Sequence, residues 1–236
     1  MLFPSSLFIA ALVGATQAQT PPGFKPQVTT KLNVIFNSTS VTKAGELLTK
    51  TATATAPNLA LTNVNSTSDT YLFIMIDLDV PGAGSNSTRR TLLHAMTTGF
   101  KTTTQKLNGT ATLLSTTQKG PAAYFGPGPP STDTIAHRYV QLLFKQPANL
   151  NIPATMFAET TSRLNFNIEA FMKTMGLAAP VAGNFFTVDG RNGTQTGSGG
   201  RGNSTVVPFT GAAGRVSEGS SVVGLIGVLG AMVLLV

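Results

Sequence analysis

Two aspartates and two histidines carry most of the chemistry this sequence can offer. Asp77 and Asp79 stand two apart in Ile76-Asp77-Leu78-Asp79-Val80-Pro81, directly after an apolar run. On an extended strand that spacing puts both carboxylates on one side, about 6–7 Å apart. Acids at the end of a buried strand need cations, hydrogen-bond donors or a shared proton. The plainer reading is a pair that caps a turn. The only histidines fall in Leu92-Leu93-His94-Ala95-Met96 and Ala136-His137-Arg138-Tyr139. Each is either a satisfied core side chain or a site residue. A third element, Gly126-Pro127-Gly128-Pro129-Pro130, has few backbone donors and a rigid course, which suits a pocket wall. Two carboxylates and two imidazoles could receive a phosphate with an ammonium, or ligate a divalent metal.

Strand-length apolar segments must position these groups. Residues 32–36, 71–76 and 139–144 predict three strands. The second is apolar on both faces, which predicts a place at the centre of a sheet. The Thr-rich stretch over residues 49–55 predicts extended chain rather than helix. One helix is expected: Asn167 caps it, Ile168, Phe171, Met172 and Met175 share a face, and Gly176 closes it.

Composition narrows the field. There is no cysteine among 236 residues, so disulfides and thiolate metal sites are excluded and burial alone must hold the fold. The net charge of +7 is scattered, with no basic run longer than Arg89-Arg90, which argues against nucleic acid as a partner. No nucleotide fingerprint and no activated nucleophile is visible. The expectation is a protein that is not an enzyme, with no catalytic residue, no cofactor and no resident metal. A metal-dependent enzyme built on the acids and histidines is the less favoured alternative.

The ends predict export and anchoring. Residues 1–18 form a signal peptide, with an apolar core over residues 7–13 and Thr16 and Ala18 at the −3 and −1 positions of a cleavage site. An N-terminal anchor or a buried strand is the alternative. A single domain is expected over residues 28–189, followed by a Gly/Ser/Thr-rich linker over residues 190–210. Residues 211–236 combine the small residues Gly211-Ala212-Ala213, a polar spacer and a 15-residue apolar tail. That is the layout of a removable glycosylphosphatidylinositol (GPI) signal, with Gly211 the candidate attachment residue; a short tail-anchor helix is the alternative. Asn-x-Ser/Thr sequons at Asn37, Asn65, Asn86, Asn108, Asn192 and Asn203 agree with the secretory pathway. The expected location is the cell surface, GPI-anchored to the plasma membrane, or else the cell wall or extracellular space.

Three motifs in order carry a family resemblance. YLFIMIDLDVP resembles the Asp-Pro-Asp-x-Pro signature of phosphatidylethanolamine-binding proteins. GPGPP followed by HRYVQLLF resembles that family's Gly-Pro-Pro…His-Arg-Tyr signature, and RLNFNIEAFMKTMGLAAPVAGNFF resembles its closing segment. Raf kinase inhibitor proteins, plant flowering regulators and the yeast carboxypeptidase Y inhibitor belong to the family. The resemblance implies a mainly β fold, an antiparallel β-sandwich with a few peripheral helices. It also implies an anion pocket made by Asp77, Asp79, Pro81, His94, Gly128, Pro130, His137 and Tyr139. Such a pocket takes phospholipid headgroups or other phosphate-bearing ligands without a metal; inhibition of a serine carboxypeptidase is the alternative function. Departures lie at Leu78, where the family has proline, and in the loop over residues 131–136, which is one residue longer. A Gly-rich tether also stands where animal members have a terminal helix.

Overall fold

The computed structural model describes residues 17–191, apart from residues 63, 65, 67 and 83–87. Most of the expected leader and linker, the anchor signal with Gly211, and Asn65, Asn86, Asn192 and Asn203 lie outside the described residues. Asn37 and Asn108 lie within them, exposed in tight turns at positive φ, where Asn is tolerated. Among the described residues no helix is long and apolar enough to cross a membrane.

Alternation of apolar side chains makes the fold one large sheet. Its strands in chain order are β1 (Leu32–Phe36), β2 (Thr39–Ser40), β3 (Glu46–Leu48), β4 (Asn58–Leu61), β5 (Thr70–Val80), β6 (Arg90–Leu107), β7 (Ala111–Ser115), β8 (His137–Lys145) and β9 (Ala182–Val188). They lie in the order β2-β1-β4-β7-β6-β5-β8-β9-β3, antiparallel throughout except for the parallel β3–β9 pair. The sheet curls until its two ends meet: Lys31, just before β1, bridges to Gly183 of β9, whose N–H donates to Thr30 O at 2.9 Å. Asn184 fastens the same seam by donating to the Leu32 carbonyl at 2.9 Å.

Curling gives the sheet two buried faces. Inside, Leu32, Val34 and Phe36 of β1 pack against Tyr71, Phe73 and Met75 of β5 and against Tyr139 and Phe186. These are the two layers of the expected sandwich, drawn from one continuous sheet. On the outer face Leu72, Ile74 and Ile76 of β5 join Val140, Leu142 and Phe144 of β8 beneath Phe157, Phe166 and Phe171. β5 is therefore buried on both sides between β6 and β8, as its two-faced apolarity predicts.

The outer core is covered by two helices, α1 (Thr160–Arg163) and α2 (Ile168–Met175). Helix α2 follows the sequence expectation. The Asn167 side chain accepts from Ala170 N, Ile168 and Phe171 are buried with Met172 and Met175 beside them, and Gly176 ends the helix at φ 62°. Residues 49–55 depart from expectation: they form turns, not a strand. The Thr49 and Thr53 hydroxyls bond to neighbouring backbone groups, and that local bonding competes with a sheet ladder.

Candidate functional site

At one end of the curled sheet, where β5 finishes and β8 begins, the polar residues gather. Asp77 pairs with Leu92 of β6 on one side and Tyr139 of β8 on the other. His94 would not reach this point in a regular strand. Met75 pairs with Ala95 and Ile76 with Leu93, so His94 is the extra residue of a β-bulge. Leu93 stays in the outer core and Ala95 in the inner core, while His94 turns inward between them. Its Nε2 lies 3.9 Å from Asp77 Oδ2, and its ring meets Tyr139 edge-on at 5.2 Å.

The segment after β7 fixes the histidine. Its Nδ1 donates to the Phe125 carbonyl at 2.9 Å, and Phe125 N–H donates back to the His94 carbonyl at 3.1 Å. In the neutral ring this leaves Nε2 as a lone-pair acceptor. Gly120 lets the segment run this close to β6. It has φ 74°, and a Cβ there would overlap the Met96 carbonyl oxygen.

His137 is held from both sides. Nδ1 meets Asp77 Oδ2 at 2.8 Å and Nε2 meets Asp133 Oδ2 at 2.8 Å. Asp133 in turn accepts a two-point ion pair from Arg89, whose guanidinium also donates to the Asp79 carbonyl at 2.8 Å. A cation–carboxylate chain thus runs from Arg89 through Asp133 and His137 to Asp77.

The two aspartates of the sequence motif divide their work. Asp79 N–H donates to Asp77 Oδ1 at 2.8 Å. The Asp79 carboxylate accepts from Arg138 N, Nε and Nη2 at 2.8–2.9 Å. It is saturated, and it braces the start of β8. Pro81 offers its carbonyl to Arg90. Pro130 O accepts from Asp133 N–H at 3.1 Å, so the proline segment anchors the turn that delivers Asp133. Gly190 rests on the Pro129 and Pro130 carbonyls, where any side chain would collide. Gly128 is exposed.

Electrostatics follow from these contacts. Burial pushes the His137 imidazolium down, but its bonds to Asp77 and Asp133 outweigh that and hold it above the usual histidine range. Burial pushes His94 down, against weaker opposition from the Phe125 carbonyl and Asp77. Arg89 holds the Asp133 carboxyl far below the usual range. Burial would raise Asp79, but Arg138 overrides it and keeps the group low. Burial, then the Asp77 carboxylate, drive the Tyr139 phenol up, with the Gly128 N–H opposing.

Among the described residues, two polar atoms beside Asp77 have no hydrogen-bond partner: His94 Nε2 and the Tyr139 hydroxyl. Asp77 and the Gly128 N–H lie near that hydroxyl without hydrogen-bond geometry. Two residues further along β8, both amide atoms of Gln141 are likewise buried and unpartnered among the described residues. Among the described residues no group of three or more His, Cys, Asp or Glu side chains is arranged to hold a metal ion. Of the expected residues, Asp77, His94, His137 and Tyr139 converge on one spot, with Gly128 near it; Asp79, Pro81 and Pro130 support it from behind. Asp133, Arg89 and Gln141 were not anticipated. In a chain with only nine acidic residues, an Asp four before a strand histidine is the one signal available.

Comparison with known proteins places this architecture. The sequence profile of the phosphatidylethanolamine-binding protein family matches residues 37–186. The chain belongs to the phosphatidylethanolamine-binding protein family. It is 36% identical over 193 residues to phomoidride biosynthesis cluster protein N of Talaromyces stipitatus, covering 77% of this chain and 96% of that protein. A 26 kDa secreted antigen of Toxocara canis is 38% identical over 66 residues, 27% of this chain and 25% of the antigen. Among solved structures, carboxypeptidase Y inhibitor complexed with its cognate proteinase superposes with TM-score 0.54 at 22% identity, covering 69% of this chain and 84% of that one. This family member therefore has the mainly β fold that the three sequence motifs imply.

Proposed function

We propose that this family member is a binding protein whose site takes a phosphate-bearing group, a phospholipid headgroup or another small phosphate ester, and performs no catalysis. The observation that carries the reading is the pair of unpartnered atoms, His94 Nε2 and Tyr139 OH, beside Asp77. Buried polar atoms without partners cost free energy, and a ligand that supplies the missing bonds recovers it. His137 has no free nitrogen, Arg89 and Arg138 are paired with carboxylates, and Arg163 is committed to the Phe157 and Ala123 carbonyls, so the phosphate must bring a proton or leave one on His94. A P–OH then donates to His94 Nε2 or Asp77, the phosphoryl oxygens accept from Tyr139 OH and the Gly128 N–H, and an ammonium on the same ligand faces Asp77. Both unpartnered atoms are sealed from solvent, so the ligand enters by displacing the covering segment around Phe125 to Pro130.

Titration of the isolated domain with phosphoethanolamine and with inorganic phosphate, followed by calorimetry, tests the site. His94→Phe preserves the aromatic packing against Phe125 and removes Nε2. Affinity drops at least about tenfold, the worth of one charge-assisted hydrogen bond. Equal affinity for the two proteins sinks the assignment. The relative named for a biosynthesis cluster supports a small organic ligand. Tight inhibition of a serine carboxypeptidase, with no phosphate binding, would instead favour the behaviour of the carboxypeptidase Y inhibitor, whose fold this chain shares.

The same reading puts the domain outside the cell. The signals at residues 1–18 and 211–236, the sequons, and the secreted antigen among its relatives support export and a GPI anchor at Gly211. Phosphatidylinositol-specific phospholipase C then releases the protein from intact cells. Retention with the apolar tail still attached would show a spanning anchor.

A further inference from the structure

The start of the described chain is built into the fold. Gln19 and Thr20 are buried, at 7% and 2% exposure. Gln19 N–H donates to Val28 O at 2.7 Å, and Val28 N–H donates to the Thr20 hydroxyl at 3.3 Å. Val28 belongs to the outer core and touches Gly183 at the seam of the sheet. Residues 19–28 are thus a loop clipped at its base, and Gln19 N is half of the clip.

That geometry constrains what Gln19 can be after export. Cleavage after Ala18 turns its amide nitrogen into an ammonium with three donors and a full charge, at a position that is buried in the full chain and offers one carbonyl acceptor. Burying an ammonium with so little compensation is strongly unfavourable. Cleavage also removes Gln17, whose carbonyl is the acceptor 2.9 Å from Gln19 Nε2. Gln19 Oε1 has no partner already, so both ends of the side-chain amide would be stranded.

We propose that leader cleavage after Ala18 leaves Gln19 as the mature N-terminus and that it closes to pyroglutamate, a modification the site selects because it is neutral and carries one donor. The α-amine nitrogen attacks the side-chain carbonyl carbon Cδ, a C–N bond forms, and Nε2 departs with the transferred proton as ammonia. No oxidant, reductant or co-substrate is consumed. The product keeps one N–H for Val28 O and loses both the charge and the stranded Nε2. The neutral terminus stays buried, and aminopeptidases that require a free α-amine find none.

This rests on the export reading, and one experiment separates the two. The full chain is expressed in a eukaryotic secretory host, and free amines on the intact purified protein are methylated before chymotrypsin digestion, so that cyclisation in the digest is not counted. The expected N-terminal peptide covers residues 19–24, carries no methyl group on its first residue, and is lighter than the Gln form by one ammonia. A peptide beginning at Gln19 with a methylated amine overturns the cyclisation while leaving export intact. A chain that begins elsewhere, or retains its leader, overturns the proposal together with the cleavage site.

Discussion

Asp133 and His137 sit four residues apart in the chain, and the Asp133 carboxylate lies 2.8 Å from His137 Nε2. This contact lies across the entrance to β8, in the loop that is one residue longer than the family's common form. It makes His137 a bridge between two acids rather than a free donor. The unpartnered polar atoms beside Asp77 are therefore those of His94 and Tyr139, and His137 is part of the frame that holds Asp77.

Removing that bridge leaves two buried carboxylates facing each other across a void. His137→Gln is expected to lower unfolding free energy by about 3–5 kcal/mol, the usual cost of breaking a buried ionic pair from one side. Denaturant titration of the isolated domain measures it. A loss below about 1 kcal/mol would mean that the bridge contributes no more than an exposed pair.

The pH dependence of stability follows from the same contacts. His137 is held above its ordinary value of 6.5, so its contribution is complete below that pH and is lost as pH climbs through the raised folded value. Asp79 and Asp133 are held below 3.8; their contribution is present above that value and is lost as pH falls through the lower folded ones. His94, held low, acts on the other side of 6.5: its penalty is absent above that pH and grows as pH falls through the lower folded value, so it weakens the fold on acidification. Melting curves from pH 5 to pH 9 should therefore show an alkaline decline in wild type that His137→Gln lacks. Parallel profiles would contradict the raised value.

The Arg89–Asp133 pair is a two-point contact, and lysine cannot reproduce it. A double-mutant cycle of Arg89→Ala with Asp133→Asn is expected to give a coupling energy measurably above zero. A value near zero would show that Asp133 is held by His137 alone.

Gly120 controls His94 from a distance. Gly120→Ala adds a methyl group against the Met96 carbonyl in a left-handed backbone conformation. The segment must then peel from β6, breaking the Phe125 bond that sets the His94 tautomer. Nitrogen-15 NMR of the imidazole should show the Nδ1–H tautomer in wild type and a mixture in the variant. An unchanged spectrum would remove Phe125 from this role.

What the sequence reveals depends on whether the signal is local. The double-sided apolarity of residues 71–76 places β5 at the sheet centre, and the cap, stripe and terminator of α2 are all written within ten residues. The motifs around Asp77, His94, His137 and Tyr139 identify the cluster through resemblance. Other features have no local mark. The bulge that turns His94 inward comes from a register set by two strands together, and the Asp133 bridge needs a loop to fold back over β8. The pairing of Asp79 with Arg138 rather than with the shared space accompanies the third irregularity in β5–β6 pairing, between Asp77 and Val80. Threonine preference misleads at residues 49–55 because hydroxyls bond the nearest backbone before a neighbouring strand arrives.

The outermost strands of the curl, β2 and β3, have two and three residues each. Such short rims expose few free N–H and C=O groups, and Lys31 and Gly183 join the longer strands behind them. A neighbouring copy therefore finds almost no rail along which to add a strand. For a domain without a single crosslink, this protects solubility through backbone geometry, even when many copies stand side by side.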